Sequence, residues 1–202
     1  MTRRLIDYGE SAVLLEGHDL ADVMALRPVV AEEFGQVVEI VPGARTLLLR
    51  LRAPLAEADR HRLLGLPAAP PELGEHEVTE IEVNYSGADL TEVAGLLKLS
   101  PDEVVAAHTG QVWTVAFCGF APGFGYLVGE NDRLRVPRRS NPRTAVPAGA
   151  VGLADAFSGV YPRQGPGGWQ LIGQTDRPLW DLDADPPALL QPGGRVRFRA
   201  AG

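Results

Sequence analysis

FCGFAPGFGYLVG (residues 117–129), PRRSNPRTAVPAGAVGLA (137–154) and SGVYPRQGPGGWQLIGQT (158–175) follow one another in a single Gly/Pro/Arg-rich run. Linkers are also rich in Gly and Pro, but they lack packed apolar and aromatic side chains. Here Phe117, Phe120, Phe124, Tyr126, Phe157, Tyr161 and Trp169 are threaded between the Gly and Pro residues. Glycine supplies positive φ and proline pre-sets φ, so the mixture predicts folded loops with fixed turns. Loops of that kind carry recognition or chemistry.

Outward from this run, short β-rich segments alternate with turns: VWTVAFC (112–118), RLRVP (133–137), VGLA (151–154), WQLIG (169–173) and RVRFRA (195–200). That spacing predicts a closed or nearly closed barrel. Upstream, IEVNY (81–85) reads as a strand, and DLTEVAGLLKLSPDEVVAAHTG (89–110) as two short helices. Asp89 is the expected cap of the first helix. Ser100, Pro101 and Glu103 give the second a capping box with Pro at its first position. Two helices joined by a tight turn invite a helix-turn-helix reading, but Asp89, Glu92, Asp102 and Glu103 face only Lys98. A recognition helix approaching phosphates should be basic.

The N-terminal part reads as a smaller α/β unit. Residues 4–15 predict two strands and a turn, and 18–34 a helix that Pro28 should kink or break. VVEIV (37–41) and TLLLRLR (46–52) predict strands, and 54–64 a short helix. The Pro-rich stretch LPAAPPELGEHE (66–77) marks a boundary. The expected organisation is α+β, with a small α/β domain at 1–78 followed by a β-barrel domain at 79–202.

Bulk properties narrow the function. Net charge is −7, from 19 Lys+Arg against 26 Asp+Glu, which opposes nonspecific nucleic-acid binding. No apolar run approaches the roughly 20 residues that span a bilayer. The single Cys118 rules out an internal disulfide, and the expected location is cytoplasmic. There is no GxxxxGK[ST] phosphate loop and no GxSxG elbow. Gly123, Gly125 and Gly129 are spaced one residue too long for a dinucleotide fingerprint. His18, His61, His76 and His108 lack metal-ligand spacing, so no metal is expected.

The positive charge that exists is clustered: Arg133, Arg135, Arg138, Arg139 and Arg143. This is either a solvated loop or a site for a carboxylate, a phosphate or an acidic partner. Arg143 stands between Pro142 and Pro147, and a stiff backbone reduces the entropy lost in holding a ligand. Its structural alternative is an ion pair, for example with Asp155. GPGGWQ places Gly167 and Gly168 where backbone N–H groups receive an oxyanion or form a tight turn that packs Trp169. FAPGFGYL has the composition of a rigid aromatic pocket lip or of a plug for the barrel end. Cys118 reads as a buried, inert thiol, since His108 is the only base that the sequence suggests for it.

Taken together, VVAAHTG (104–110), the three runs above and PPALLQPGGRVRF (186–198) closely resemble the allophanate hydrolase subunit 1 family. That family includes the B-type subunit of bacterial ATP-dependent 5-oxoprolinase and an inhibitor of a sporulation histidine kinase. The runs also resemble one half of the carboxyltransferase domain of urea carboxylase. The matches cover most of residues 81–202; GESAVLLE and VVEIVPGARTLLL agree in outline. The resemblance implies a cyclophilin-like β-barrel and ATP-driven hydrolysis of 5-oxoproline to glutamate. It implies two partners. One is a second cyclophilin-like subunit (allophanate hydrolase subunit 2, or the C-type subunit of 5-oxoprolinase); the other is the A-type subunit of 5-oxoprolinase. ATP is expected to be bound by the assembled complex. Kinase inhibition and half of a biotin-dependent carboxyltransferase are the alternatives.

Carried over by position, the implied catalytic residues are His108, Tyr126, Arg143 and Gln170. The implied substrate-binding residues are Phe120, Pro122, Phe124, Thr144, Pro147, Gln164, Gly167, Gly168 and Trp169. The chain departs from the family pattern at the short VNYSGADL loop, at Gly125 where Pro is expected, at Ala150 where Ser is common, and at Asp155-Ala156-Phe157. These departures bear on substrate identity more than on fold.

Overall fold

The computed structural model describes residues 2–67 and 77–202, so residues 68–76 of the Pro-rich boundary stretch, His76 included, lie outside the described residues. The chain divides into two compact units, residues 1–74 and 75–202.

In the first unit, alternation of apolar and polar residues builds four strands: β1 (Arg4–Asp7), β2 (Ala12–Glu16), β3 (Val37–Pro42) and β4 (Thr46–Leu51). They form an antiparallel sheet of order β1-β2-β4-β3. Val13 and Leu15 on β2 and Leu47 and Leu49 on β4 share the buried face, as the period of two requires. Helix α1 (Leu20–Glu33) lays Val23, Leu26 and Val30 on that face, and Asp19 caps it by accepting from the Asp22 N–H at 2.9 Å. The helix runs through Pro28 without a break. A break is avoided because the apolar residues on both sides of the proline are anchored in the same core. The Arg3 guanidinium grips Asp22 at 2.6 and 3.0 Å and also donates to the Leu66 carbonyl beyond α2 (Glu57–Gly65).

The second unit is built on seven strands: β5 (Val78–Val83), β6 (Trp113–Cys118), β7 (Gly125–Val128), β9 (Ala150–Ala154), β10 (Phe157–Val160), β12 (Gln170–Gln174) and β13 (Arg195–Ala200). They pair into one sheet of order β12-β9-β10-β7-β6-β13-β5. Only β5 and β13 are parallel; the other neighbours run antiparallel. Val78 pairs with Arg195, so the barrel strand begins just before residue 79. A separate ribbon pairs β8 (Arg143–Val146) with β11 (Gly165–Gly167). Helices α3 (Leu90–Leu97) and α4 (Pro101–Thr109) bridge β5 to β6; α3 packs on β12 and α4 on β13. The Ser100 box forms in full, with Glu103 N–H donating to Ser100 Oγ at 3.2 Å and Ser100 N–H to Glu103 Oε2 at 2.8 Å.

The fold is therefore α+β with a nearly closed, cyclophilin-like barrel. It is drawn shut where Asn84 and Gln174 exchange backbone hydrogen bonds of 2.8 and 2.9 Å. Gly87 makes this approach possible, donating to Ile172 O at 3.2 Å. A Cβ on Gly87 would fall onto the backbone of Leu171, Ile172 and Gly173. One expected strand does not form: RLRVP is a turn held by the buried Leu134 and Val136 and by the Val136–Asp155 bridge. Pro137 lacks the N–H that would continue the ladder.

Barrel closure predicts that Gly87→Ala costs about 2 kcal/mol or more, because backbone must move to admit the methyl. Gly65→Ala, with open space around the new methyl, should stay within about 0.5 kcal/mol. Urea denaturation of both variants checks this; equal midpoints would remove Gly87 from its closing role.

Candidate functional site

Most of the residues that the sequence marks as one site fall into three places within the second unit, and the rest lie outside them. The first is an aromatic pocket of about 60 Å³ lined by Phe120, Phe124, Tyr126, Arg138, Tyr161, Gly167, Gly168 and Trp169. Phe124 sits at its centre, edge-on to Phe120, Tyr161 and Trp169 at 5.3 Å each and to Tyr126 at 5.1 Å. Such tilted contacts set ring edges against ring faces and fix the walls. Phe120 is the outer wall, 58% exposed and with a left-handed backbone at φ 68°. Gly167 belongs to β11 and lies where the Tyr161 hydroxyl passes; a Cβ there would collide with the phenol oxygen. The Gly167–Gly168 segment thus pairs with Arg143 and accepts, through the Gly168 carbonyl, from Arg139 N–H at 2.8 Å. The backbone of Gly167 thus passes close to the Tyr161 phenol, beside the packed Trp169 ring.

Burial raises the pKa of Tyr126 and of Tyr161, while the charge of Arg138 pulls both down. The phenols stay protonated at neutral pH and are donors. Arg138 and Tyr161 belong to this pocket although neither was among the candidate residues. The Arg cluster signalled a cation here, but nothing local distinguishes Arg138 from its neighbours.

The second place is a buried carboxylate. Arg143, expected to hold a ligand anion, instead grips Asp89 with both Nη atoms, at 2.9 and 2.7 Å. Arg139 adds a contact of 2.6 Å, and Leu171 N–H donates to Asp89 Oδ2 at 2.7 Å. The Asp89 side chain is 3% exposed and that of Arg143 25%. Burial alone would raise the Asp89 carboxyl, but the hydrogen bonds from Arg143 and Leu171 and the two cations hold it below its ordinary value. Asp89 occupies the N-cap position of α3, yet its side chain caps nothing; two guanidinium groups outcompete a backbone N–H. Asp155 is not the partner of Arg143.

The third place is the barrel interior. His108 is fully buried, with Nδ1 2.6 Å from the Tyr85 hydroxyl and Nε2 2.8 Å from Ser158 Oγ. Its ring stacks on Phe198 at 4.3 Å, and Trp113 Nε1–H donates to its carbonyl at 2.9 Å. Burial pushes the imidazole down to about 3, so it is neutral at physiological pH. It joins α4, β10, β6 and β13 to the end of β5 and does not reach the pocket. Gln170 is also buried, its Nε2 3.4 Å from Pro137 O and its Oε1 without a partner among the described residues. Neither residue lines the aromatic pocket.

Pro122 borders a neighbouring open cleft of about 480 Å³ with Cys118, Phe120, Trp180 and Leu190. Cys118 is half-buried and donates to Leu190 O at 3.5 Å; His108, held by Tyr85 and Ser158, is not its base. Thr144, Pro147 and Gln164 are exposed and do not line the pocket. A larger cleft of the first unit, about 660 Å³, contains none of the candidate residues. Among the described residues no cluster of His, Cys, Asp or Glu could hold a metal, and no helix is long and apolar enough to cross a membrane.

Two outcomes follow from these geometries. Asp89→Asn leaves two guanidinium groups facing a neutral amide and should destabilise by roughly 3–5 kcal/mol, with Arg143→Met also clearly destabilising. Urea denaturation measures both, and full stability of Arg143→Met would return that residue to ligand binding. For His108, the unfolded chain takes up a proton below about pH 6.5, while the folded one resists to about 3. Its contribution to stability is therefore complete above pH 6.5 and falls by about 1.4 kcal/mol per unit as pH drops toward 3. In NMR titration the His108 ring signals should stay at their neutral positions from pH 8 to 5; a midpoint near 6.5 would contradict its burial.

A profile described as Carboxyltransferase domain, subdomain C and D matches residues 4–190. The chain is 40% identical to the B-type subunit of 5-oxoprolinase from Escherichia coli over 201 residues, covering 94% of this chain and 92% of that one. It is 48% identical to the Bacillus subtilis protein of the same name over 124 residues, 60% of this chain and 52% of the relative's length. Among solved structures, TTHA0988 superposes with a TM-score of 0.75 at 35% identity, covering 95% of this chain but only 40% of the other. The resemblance read from residues 81–202 thus extends through the N-terminal unit. The chain belongs to the carboxyltransferase subdomain C and D family.

Proposed function

We propose that this chain is the B-type subunit of an ATP-dependent 5-oxoprolinase, working with two further subunits, one of them also cyclophilin-like. The observation that carries this reading is 40% identity, over nearly the full length of both chains, with a relative of that name. The pocket is consistent with it. A volume of about 60 Å³ has room for a few waters or for a polar group of a small molecule, since a water needs about 10–15 Å³ of such space. A cyclic amide would protrude and need another surface to cover it. Phe120, Trp180 and Leu182 are exposed apolar side chains on this unit, of the kind that partner surfaces cover. TTHA0988 carries its matching region within a chain more than twice as long, which supports a companion domain.

In the proposed reaction, ATP phosphorylates the lactam oxygen and leaves as ADP; water adds to the activated ring carbon and the C–N bond breaks to give the acyl phosphate of glutamate, which a second water hydrolyses to glutamate and phosphate. Activation is needed because an amide is a poor electrophile, and charge developing on oxygen requires placed donors. Tyr126 is the pocket donor suited to orient a substrate oxygen, with Phe120, Phe124 and Trp169 as walls. The chain has no phosphate loop, so ATP binding is assigned to the assembled complex.

Co-expression with the neighbouring subunits and assay of ATP-dependent glutamate release from 5-oxoproline tests the reading. Activity should require this chain, and the purified chain alone should show no ATPase activity. An intact complex that releases no glutamate would transfer the assignment to carboxyl transfer, the chemistry named by the family.

A further inference from the structure

Three adjacent or nearby arginines have different fates. Arg139 and Arg143 are bound to Asp89. Arg138 instead lines the aromatic pocket, where its charge acts on both the Tyr126 and Tyr161 hydroxyls. Its carboxylate neighbour is Asp155, 3.9 Å from Nε, with side chains 57% and 60% exposed. An exposed pair at that distance is weak and screened, so the guanidinium remains available to a ligand. Burial keeps the Tyr161 hydroxyl protonated, so it has a proton to donate. Arg138, Tyr126 and Tyr161 thus converge as donors on a space of about 60 Å³. That space has room for a carboxylate.

We infer that this pocket binds the carboxylate of the substrate through Arg138, with the Tyr126 and Tyr161 hydroxyls as supporting donors. Naming the ligand as 5-oxoproline rests on the function proposed above; the anion site itself does not. With the carboxylate inside, the lactam ring stands at the rim against Phe120. That residue is held in its left-handed conformation by the Ala121 N–H to Gly119 O bond of 2.8 Å and by edge contacts with Phe124 and Tyr161. Strain of this kind collects at ligand-binding positions. The scissile amide is then presented outward, to the surface that supplies the activating phosphoryl group. Arg138 is accordingly the residue that selects an acid over a neutral lactam.

The test is calorimetric or NMR titration of the full chain, and of its co-purified complex, with three probes. These are 5-oxoproline, cyclopentanecarboxylate (an acid without the amide) and 2-pyrrolidinone (the amide without the acid). Both acids should bind, with 2-pyrrolidinone at least about tenfold weaker. Arg138→Gln should weaken the acids about 10- to 100-fold and leave 2-pyrrolidinone unchanged, whereas Arg133→Gln, outside the pocket, should change neither. Tyr126→Phe should weaken the acids by a smaller factor while preserving the fold. In the active complex, Arg138→Gln should raise KM for 5-oxoproline more than it lowers kcat. Equal binding of 2-pyrrolidinone, retained acid affinity in Arg138→Gln, or no acid binding to chain or complex would each overturn the inference. Arg138-dependent acid binding in a complex that releases no glutamate would refute the oxoprolinase reading and leave the anion site standing. Glutamate release with an unchanged KM in Arg138→Gln would do the reverse.

Discussion

The second unit depends on one buried carboxylate. Asp89 is out of water, and an isolated charge there would be untenable. It is stable because three separated parts of the chain supply its partners: Arg139 from the loop after Pro137, Arg143 from β8, and the Leu171 N–H of β12. Through this single group the start of α3, the β8–β11 ribbon and one edge of the barrel become one piece. The same tie commits Arg139 and Arg143, which leaves Arg138 as the cation over the aromatic pocket.

Polar and apolar chemistry are divided between the two faces of the barrel wall. The interior face carries Tyr85, His108 and Ser158 in a chain of two hydrogen bonds inside an apolar core. A buried polar network is tolerated when its members are paired. The outer face carries Phe124, Tyr161 and Trp169 in a second apolar cluster. Strands β9 and β12 lie between the two, and β9 is buried along its whole length. Their runs VGLA and WQLIG lack polar alternation for that reason.

Much of the fold was legible in the sequence because its signals are local. Alternation marked β2 and β4, a capping box marked α4, and the Gly/Pro punctuation marked the turns of the barrel. RLRVP misled because its alternation comes from two buried anchors in a turn, not from a paired strand. Pro28 did not end α1, because both of its flanks are anchored in the core. The aromatic pocket was partly legible: Phe120, Phe124, Tyr126 and Trp169 do meet, with Gly167 and Gly168 beside them. His108, Gln170 and Arg143 were misplaced because residue type does not reveal whether a side chain faces a core, a carboxylate or a cleft.

The sequence by itself determined the class of fold, the concentration of aromatic and basic residues in one run, and membership of a family. These follow from spacing and composition, which act over a few residues. Only the tertiary structure decided which arginine faces the pocket. That choice turns on Asp89, some 50 residues away along the chain, and a charge separated so far in sequence exerts its influence only after folding has brought it within hydrogen-bonding distance.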